Sequence, residues 1–201
     1  MTPGRRVVVG LGNPGSDYRE TRHNLGFEVV DRLAADWGVS FRRPRWGRTP
    51  VAEIAEAPAG LLFKPLTYMN RSGEAVAKCL EAYELDPEAA LLVCDDLNLE
   101  VGRLRIRAAG SAGGHHGLES VLRHLRTEGF PRLRIGIGSV GGDAVPHVLG
   151  RFRPAERSVM EAALDRATKA ARAWLEGERM ARLMDEYNRK APSEPSGGGE
   201  A

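Results

Sequence analysis

Near its start the chain reads Arg5-Arg-Val-Val-Val-Gly-Leu-Gly-Asn-Pro-Gly15. The apolar run within this stretch is typical of a buried strand, and the turn residues that follow it are enough to end that strand. Thr21 then stands at a plausible helix N-cap, before an apolar stripe that continues to about Trp37 and stops at Gly38. This part of the chain therefore predicts a strand, a polar loop and a helix.

The remainder of the chain continues the same alternation. The pattern predicts strands at 51–55, 60–64, 90–95, 101–107 and 132–138, and helices at 72–85, from the loop 110–117 to about 126, at 154–176 and at 178–189. Interleaved strands and helices favour a single α/β domain with one mixed, twisted β-sheet and helices on both of its faces. Hairpin-length connections at 58–60 and 97–101 predict antiparallel strand pairs.

Composition sets limits on the class of protein. The 201 residues are 42% hydrophobic and 28% charged, as in ordinary globular proteins. We expect one domain over residues 1–190 and a disordered tail at 191–201, which is rich in Pro, Ser, Gly and Glu. The apolar runs are too short to cross a bilayer and no signal pattern precedes the first strand, so we expect a cytoplasmic protein without membrane contact. Cys79 and Cys94 lie in apolar runs and lack CxxC spacing, which predicts buried free thiols.

The glycines at 10, 12 and 15 satisfy the G-x-G-x-x-G pattern of dinucleotide-binding folds. In such folds the helix begins at the motif, so that its N–H groups meet the pyrophosphate. Here Pro14 and several polar residues come before the apolar helical stripe, and Asp31 and Asp36 fall inside the helix instead of ending a second strand. The spacing therefore argues against a nucleotide-dependent oxidoreductase.

Polar clusters follow three of the predicted elements, where α/β proteins usually carry their sites. One is the loop after the first strand, with His23 near its end; another is Asp95-Asp96, at the end of an apolar strand; the last is Gly113-Gly-His-His-Gly117. The two acids are either solvent-facing residues or the partner of an imidazole that they keep basic. The paired histidines lack a further ligand at metal-site spacing, which predicts no metal. Because no serine or cysteine nucleophile motif is present, hydrolysis would use a water molecule activated by a histidine base.

Six motifs in order carry a resemblance to a known family. They are Val8-Val-Gly-Leu-Gly-Asn-Pro-Gly15, Thr21-Arg-His-Asn24, Lys64-Pro-Leu-Thr-Tyr-Met-Asn-Arg-Ser-Gly73, Asp95-Asp-Leu-Asn98, Gly113-Gly-His-His-Gly117 and Arg132-Leu-Arg-Ile-Gly-Ile-Gly138. Over residues 5–187 the chain resembles bacterial peptidyl-tRNA hydrolase. The resemblance implies a monomeric α/β enzyme without a cofactor, which cleaves the ester between a peptide and tRNA and so recycles tRNA from aborted translation.

The same resemblance implies roles for individual residues. His23 matches the general base, Asp95 the acid that stabilises the protonated base, and Asn13 the residue that distinguishes blocked from free aminoacyl-tRNA. The residues matched to peptide, terminal adenosine or tRNA phosphate are Tyr18, Tyr68, Asn70, His115, His116, Arg107 and Arg134. The implied partner is peptidyl-tRNA, contacted at its acceptor stem and 3′ end.

Two positions depart from the family pattern. His116 stands where the family usually has Asn, and Asn98 replaces a more usual Asp. A neutral imidazole offers one donor and one acceptor, so it replaces a single hydrogen bond of the amide. Some family-like proteins bind RNA without cleaving it, which makes a non-catalytic RNA-binding relative the alternative function. The presence of both His23 and Asp95 favours the enzyme.

Overall fold

A computed structural model describes residues 5–46 and 51–189. Six strands form one mixed sheet in the order β2-β3-β1-β4-β6-β5. The strands are β1 (Val7–Gly10), β2 (Ala52–Ala57), β3 (Gly60–Pro65), β4 (Ala90–Asp96), β5 (Leu104–Arg107) and β6 (Arg132–Gly136). The inner strands run parallel, and the edge strands β2 and β5 pair antiparallel with β3 and β6. This arrangement confirms the expected α/β class and the mixed sheet.

Helices cover both faces of the sheet, as the sequence predicts. They are α1 (Leu25–Asp36), α2 (Ser72–Ala82), α3 (His116–Leu125), α4 (Ala144–Val148), α5 (Pro154–Leu175) and α6 (Met180–Tyr187). Helices α1 and α5 pack with Val8 and Val93 on one face, whereas α2 and α3 pack with Val9 and Leu92 on the other. Successive side chains of a strand point to opposite faces, so the inner strands are buried on both sides.

Two further expectations concern the thiols and the membrane. Cys79 and Cys94 are buried free thiols, as predicted. Within residues 5–46 and 51–189, no helix combines the length and the apolar character needed to span a bilayer. The predicted tail at 191–201 lies outside the described residues.

The prediction of a hairpin at 97–101 is wrong, whereas the one at 58–60 is confirmed by the antiparallel pair β2–β3. Strand β4 already pairs with β1 on one edge and β6 on the other, so neither edge can accept β5. The chain therefore passes over β6, and β5 pairs with the free edge of that strand.

The helix expected from Thr21 begins later, because residues Arg22–Asn24 form a 3-10 turn before α1. The Thr21 hydroxyl donates to the Tyr18 carbonyl at 2.8 Å, so it does not cap a helix N–H. Helix α4 was not predicted, since its five residues contain Pro146 and follow Gly141-Gly142, which read as a loop.

Two glycines let α1 start directly on the carboxyl ends of β1 and β4. A Cβ added at Gly26 would lie 2.4 Å from both Leu11 N and Val93 O, and one at Gly10 would lie 2.2 Å from Gly26 O. The chain leaves β1 for α1 on one face of the sheet, and the first helix after β4 lies on the other face. The two strand ends therefore form a topological switch point, the usual position of a site in open α/β sheets.

The Gly26 contact predicts a large loss of stability when a methyl group is introduced. Gly26→Ala is expected to lower the free energy of unfolding by about 3 kcal/mol or more, because backbone atoms must move to admit the methyl group. Gly141→Ala is the control, since a Cβ there meets nothing within 4 Å. Urea unfolding followed by tryptophan fluorescence measures both, and overlapping curves for Gly26→Ala and the unaltered chain would contradict the role of this contact.

Candidate active site

The three polar clusters of the sequence meet at the switch point. His23 comes from the 3-10 turn between β1 and α1, Asp95 from the end of β4, and His115 from the residue before α3. All three are buried, with exposed fractions of 8%, 2% and 8%. The reading of the two acids as solvent-facing residues is wrong, because Asp96 is buried as well.

The His23 ring is held by one hydrogen bond. Its Nδ1 lies 2.8 Å from Oδ1 of Asp95, and because a carboxylate only accepts, Nδ1 carries the proton. In the neutral ring Nε2 then has a free lone pair. No side chain within the described part of the molecule hydrogen-bonds to that nitrogen. The ring is therefore oriented as a proton acceptor.

His115 connects the same carboxylate to a helix end. Its Nδ1 accepts from the backbone N–H groups of Gly117 and Leu118 at 3.1 and 3.2 Å, which caps α3. The proton of the neutral ring is consequently on Nε2, which donates to Asp95 Oδ1 at 3.1 Å. The rings of His23 and His115 lie with their centroids 5.0 Å apart.

Asp95 is a charged acceptor for both rings. Burial raises the pKa of its carboxyl group, but the electrostatic attraction and hydrogen bond of His115 and the hydrogen bond of His23 oppose this effect and bring the pKa well below its usual range. The carboxylate is thus ionised at neutral pH. A buried negative charge therefore accepts the hydrogen bond that orients His23.

The same three side chains raise the question of a metal. His23, Asp95 and His115 each place a potential ligand atom within 4.8 Å of the others. A metal-bound imidazole normally donates its second N–H to an outer acceptor. The Nδ1 of His115 instead accepts two N–H groups, so its Nε2 holds a proton and has no lone pair for an ion. The donor set therefore does not fit a metal.

Asn13 lies beside this cluster with its amide fixed in one orientation. Its Oδ1 accepts from the N–H of Met69 at 2.8 Å. Asn24 holds the main chain of Asn13 through both of its amide atoms: Oδ1 accepts from Asn13 N at 2.8 Å, and Nδ2 donates to Asn13 O at 3.0 Å. Within the described residues Nδ2 of Asn13 has no acceptor, so this buried amide offers a donor to a ligand.

The other predicted binding residues near Asn13 are more exposed. Tyr68 is 59% exposed, and its ring meets that of Tyr18 edge-on with centroids 6.5 Å apart. Asn70 is also exposed, and its carbonyl accepts from Arg123 at 3.4 Å. These side chains form an open rim with aromatic and amide groups.

The two predicted phosphate-binding arginines differ in their surroundings. Arg107 is exposed on β5 and lies opposite Arg132, whereas Arg105 is the cross-strand partner of Arg134. The Arg134 side chain is only 11% exposed, and it donates to Asp96 Oδ2 at 3.1 Å and to Ser111 O at 2.7 Å. Arg107 is thus an exposed cation with no ion-pair partner among the residues that the structure describes, and Arg134 is held in the wall of the site.

His116, the departure from the family pattern, lies at the entrance and not in the buried cluster. Its side chain is 68% exposed, and its Nδ1 is 3.2 Å from Glu119 Oε2 on the same helix. It nevertheless lines a cavity of about 80 Å³ together with His23, Asp95 and Arg134. Any hydrogen bond from His116 to a ligand would therefore form at the rim of this cavity.

Sequence reasoning missed other parts of the cavity wall. Val145 and Val148 of α4 line it, and Asp96 fixes Arg134 through a buried ion pair. The sequence does mark Asp96, because it adjoins Asp95 at the end of an apolar strand, but it does not mark its ion pair with Arg134. No sequence signal marks the valines, since α4 itself was not predicted.

Comparison with known proteins identifies relatives over nearly the whole chain. The sequence model of the family described as Peptidyl-tRNA hydrolase matches residues 7–195. A peptidyl-tRNA hydrolase of Synechococcus sp. (strain JA-2-3B'a(2-13)) is 49% identical over 195 residues, which cover 95% of this chain and 86% of that protein.

Solved structures agree with these relatives. A peptidyl-tRNA hydrolase in complex with N-propanol superposes with a TM-score of 0.84 at 34% identity, covering 94% of this chain and 97% of that one. The peptidyl-tRNA hydrolase of Acinetobacter baumannii gives a TM-score of 0.82 at 36% identity and covers 92% and 94% of the two chains. The likeness of fold therefore extends over more than nine-tenths of the chain.

Proposed function

The chain belongs to the peptidyl-tRNA hydrolase family and hydrolyses peptidyl-tRNA, and we propose that it does so with a water molecule that His23 activates. The observation that carries this proposal is the hydrogen bond from His23 Nδ1 to Asp95, 2.8 Å long. Because that bond holds the proton on Nδ1, Nε2 is the nitrogen that accepts a proton from water.

The reaction follows from this orientation. Nε2 removes a proton from water as the water oxygen attacks the ester carbonyl carbon, and Asp95 stabilises the imidazolium that forms. The tetrahedral intermediate then loses the ribose oxygen, which takes the proton back from the imidazolium. The products are a peptide with a free carboxyl group and a tRNA with a free ribose hydroxyl. An ester needs no covalent nucleophile, and the proposed route uses no cofactor.

Asn13 supplies discrimination in this proposal. Its oriented Nδ2 donates to a carbonyl oxygen of the peptidyl group, and Met69 and Asn24 keep that donor in place. In a peptidyl or N-blocked substrate the α-nitrogen carries an acyl carbonyl that accepts such a bond. A free aminoacyl group has an ammonium ion there, which only donates.

The remaining groups bind the two ends of the substrate. We assign Tyr18, Tyr68 and Asn70 to the peptide and the terminal adenosine, and His115 and His116 to the floor and rim of the groove. Arg107 and Arg134 contact phosphate near the acceptor stem and 3′ end, since guanidinium groups match phosphate geometry. We further propose that the enzyme acts as a monomer in the cytoplasm, and that the described residues belong to one domain.

Replacement of His23 tests the mechanism directly. His23→Ala should lower turnover of an N-blocked aminoacyl-tRNA by about 10²–10⁴-fold, the usual contribution of a positioned base. The Kd for a non-cleavable analogue should change little. His124→Ala is the control, because its ring bonds within α3 to Ser120 O. Normal turnover by His23→Ala would refute the mechanism, and binding without turnover by the unaltered chain would instead indicate the non-catalytic RNA-binding relative.

Replacement of Asp95 tests the partner of the base. The pKa of Asp95 lies well below its usual range, so the unaltered enzyme holds a charged carboxylate beside His23. Asp95→Asn removes the charge that stabilises the imidazolium formed while His23 holds the proton taken from water. Turnover of an N-blocked aminoacyl-tRNA should therefore fall by about 10- to 100-fold. Asp165→Asn, an exposed control, should keep normal turnover; normal turnover by Asp95→Asn would contradict its role.

Salt dependence tests the phosphate contact of Arg107. Arg107→Ala should raise KM for full-length substrate more than for a short oligonucleotide ester. It should also lower the slope of log Kd against log salt by about one, the value for one lost phosphate contact. Arg179→Ala is the control, because it is an exposed arginine that precedes α6. Equal slopes for Arg107→Ala and the control would remove Arg107 from the phosphate site.

A further inference from the structure

Arg22, the residue before His23, is buried although it carries a charge. Its side chain is 8% exposed and donates through Nη1 to Arg151 O at 2.7 Å and through Nη2 to Glu156 Oε2 at 2.9 Å. The guanidinium also stacks on the ring of Phe152, with its central carbon 4.7 Å from the ring centroid. One arginine thus contacts Arg151 and Phe152 of the segment between α4 and α5, and Glu156 in the first turn of α5.

The main chain around Arg22 is joined to the same segment. The N–H of Arg22 donates to Gly150 O at 3.0 Å, and Thr21 forms an isolated antiparallel bridge with Arg151. The 3-10 turn that carries His23 is therefore fixed on one side by Asp95, through the imidazole, and on the other by the residues 150–156.

We propose that Arg22 is a positioning residue that sets the orientation of His23 by anchoring its turn to the segment that follows the cavity wall. This inference rests on the proposed function, in which His23 is the general base. The wall helix α4 ends two residues before Gly150, and its Val145 and Val148 line the cavity with His23. Arg22 thus fixes the base relative to the wall against which the substrate lies.

Glu156, the acceptor for Arg22, is itself held by hydrogen bonds. Glu156 belongs to the first turn of α5, where its Oε2 accepts from Arg153 N at 2.9 Å and its Oε1 from the Arg153 guanidinium at 3.1 Å. The hydrogen bonds of Arg153 and the charge of Arg22 lower the pKa of Glu156 to about 2 against the effect of burial. The carboxylate therefore stays charged over the pH range of an enzyme assay, and its titration does not contribute to a measured limb.

The geometry of the base responds steeply to small movements. A displacement of about 1 Å at a reacting group lowers a rate by up to about 10²-fold. Arg22→Met removes the ion pair and the carbonyl contact but keeps the bulk of the side chain. Arg22→Lys restores a charge near Glu156 but cannot bond to Glu156 and the Arg151 carbonyl with two separate nitrogens, so it should recover part of the activity.

The experiment compares these variants with a matched control. Arg32 reaches from α1 to Glu161 and Asp165 of α5, as Arg22 reaches to Glu156, but it does not adjoin His23. We expect Arg22→Met to lower kcat by about 10- to 100-fold while KM changes less than about threefold. The kcat of Arg22→Lys should lie between those of Arg22→Met and the unaltered enzyme, and Arg32→Met should keep normal kcat. All rates are measured at a temperature well below the thermal unfolding midpoint of each variant.

A spectroscopic readout separates positioning from stability. In the unaltered enzyme, the Nδ1 proton of His23 and the Nε2 proton of His115 both bond to Asp95 Oδ1, so each should give a separate downfield NMR signal. In Arg22→Met the His23 signal should broaden or shift, while the His115 signal persists as an internal reference.

The outcomes distinguish the two proposals. A folded Arg22→Met variant with normal kcat and an unchanged His23 signal overturns the positioning role, even if its stability is reduced. Should Arg22→Met fail to fold, Glu156→Gln, which keeps an acceptor for Arg153 and removes the charge, provides the same comparison with a smaller expected loss of kcat. Full activity of His23→Ala would instead overturn the mechanism on which the inference rests.

Discussion

A single oxygen of Asp95 accepts hydrogen bonds from two imidazole rings, and the arrangement of the site depends on this shared acceptor. The ring of His23 lines the cavity, and none of the described side chains bonds to its other nitrogen. The ring of His115 accepts hydrogen bonds at its second nitrogen from N–H groups in the first turn of α3. Because both rings bond to the same charged atom, the orientation of the base, the start of α3 and the ionisation of Asp95 are set together.

Backbone contact places that acceptor within reach of His23. The absence of side chains at Gly10 and Gly26 allows α1 to begin against the ends of β1 and β4. A wider separation would carry the preceding 3-10 turn away from Asp95. Packing of main chain on main chain, and not a polar interaction, therefore determines whether the buried hydrogen bond can form.

The sequence was most informative where periodicity or turn chemistry is local. All six strands and the longer helices follow from the apolar pattern and its glycine or proline boundaries. The clusters around His23, Asp95 and His115 follow from polar residues next to predicted strands and helices. The partner of β5 could not be predicted, because it depends on which edge of the sheet is already occupied. Helix α4 was not predicted because it is short and contains Pro146. The tautomer of His115 could not be predicted either, because it depends on a helix cap that only the folded chain provides.

Sequence separation within the site has a consequence for the synthesis of this protein. The hydrogen bonds of the site join residues 72 and 20 positions apart, and the Arg22–Glu156 pair spans 134 positions. A growing chain that has emerged only as far as β4 holds Asp95 but neither His115 nor Glu156. The complete site can therefore form only after most of the domain has left the ribosome. Until then the nascent enzyme is itself esterified to tRNA, the kind of bond that the finished protein cleaves.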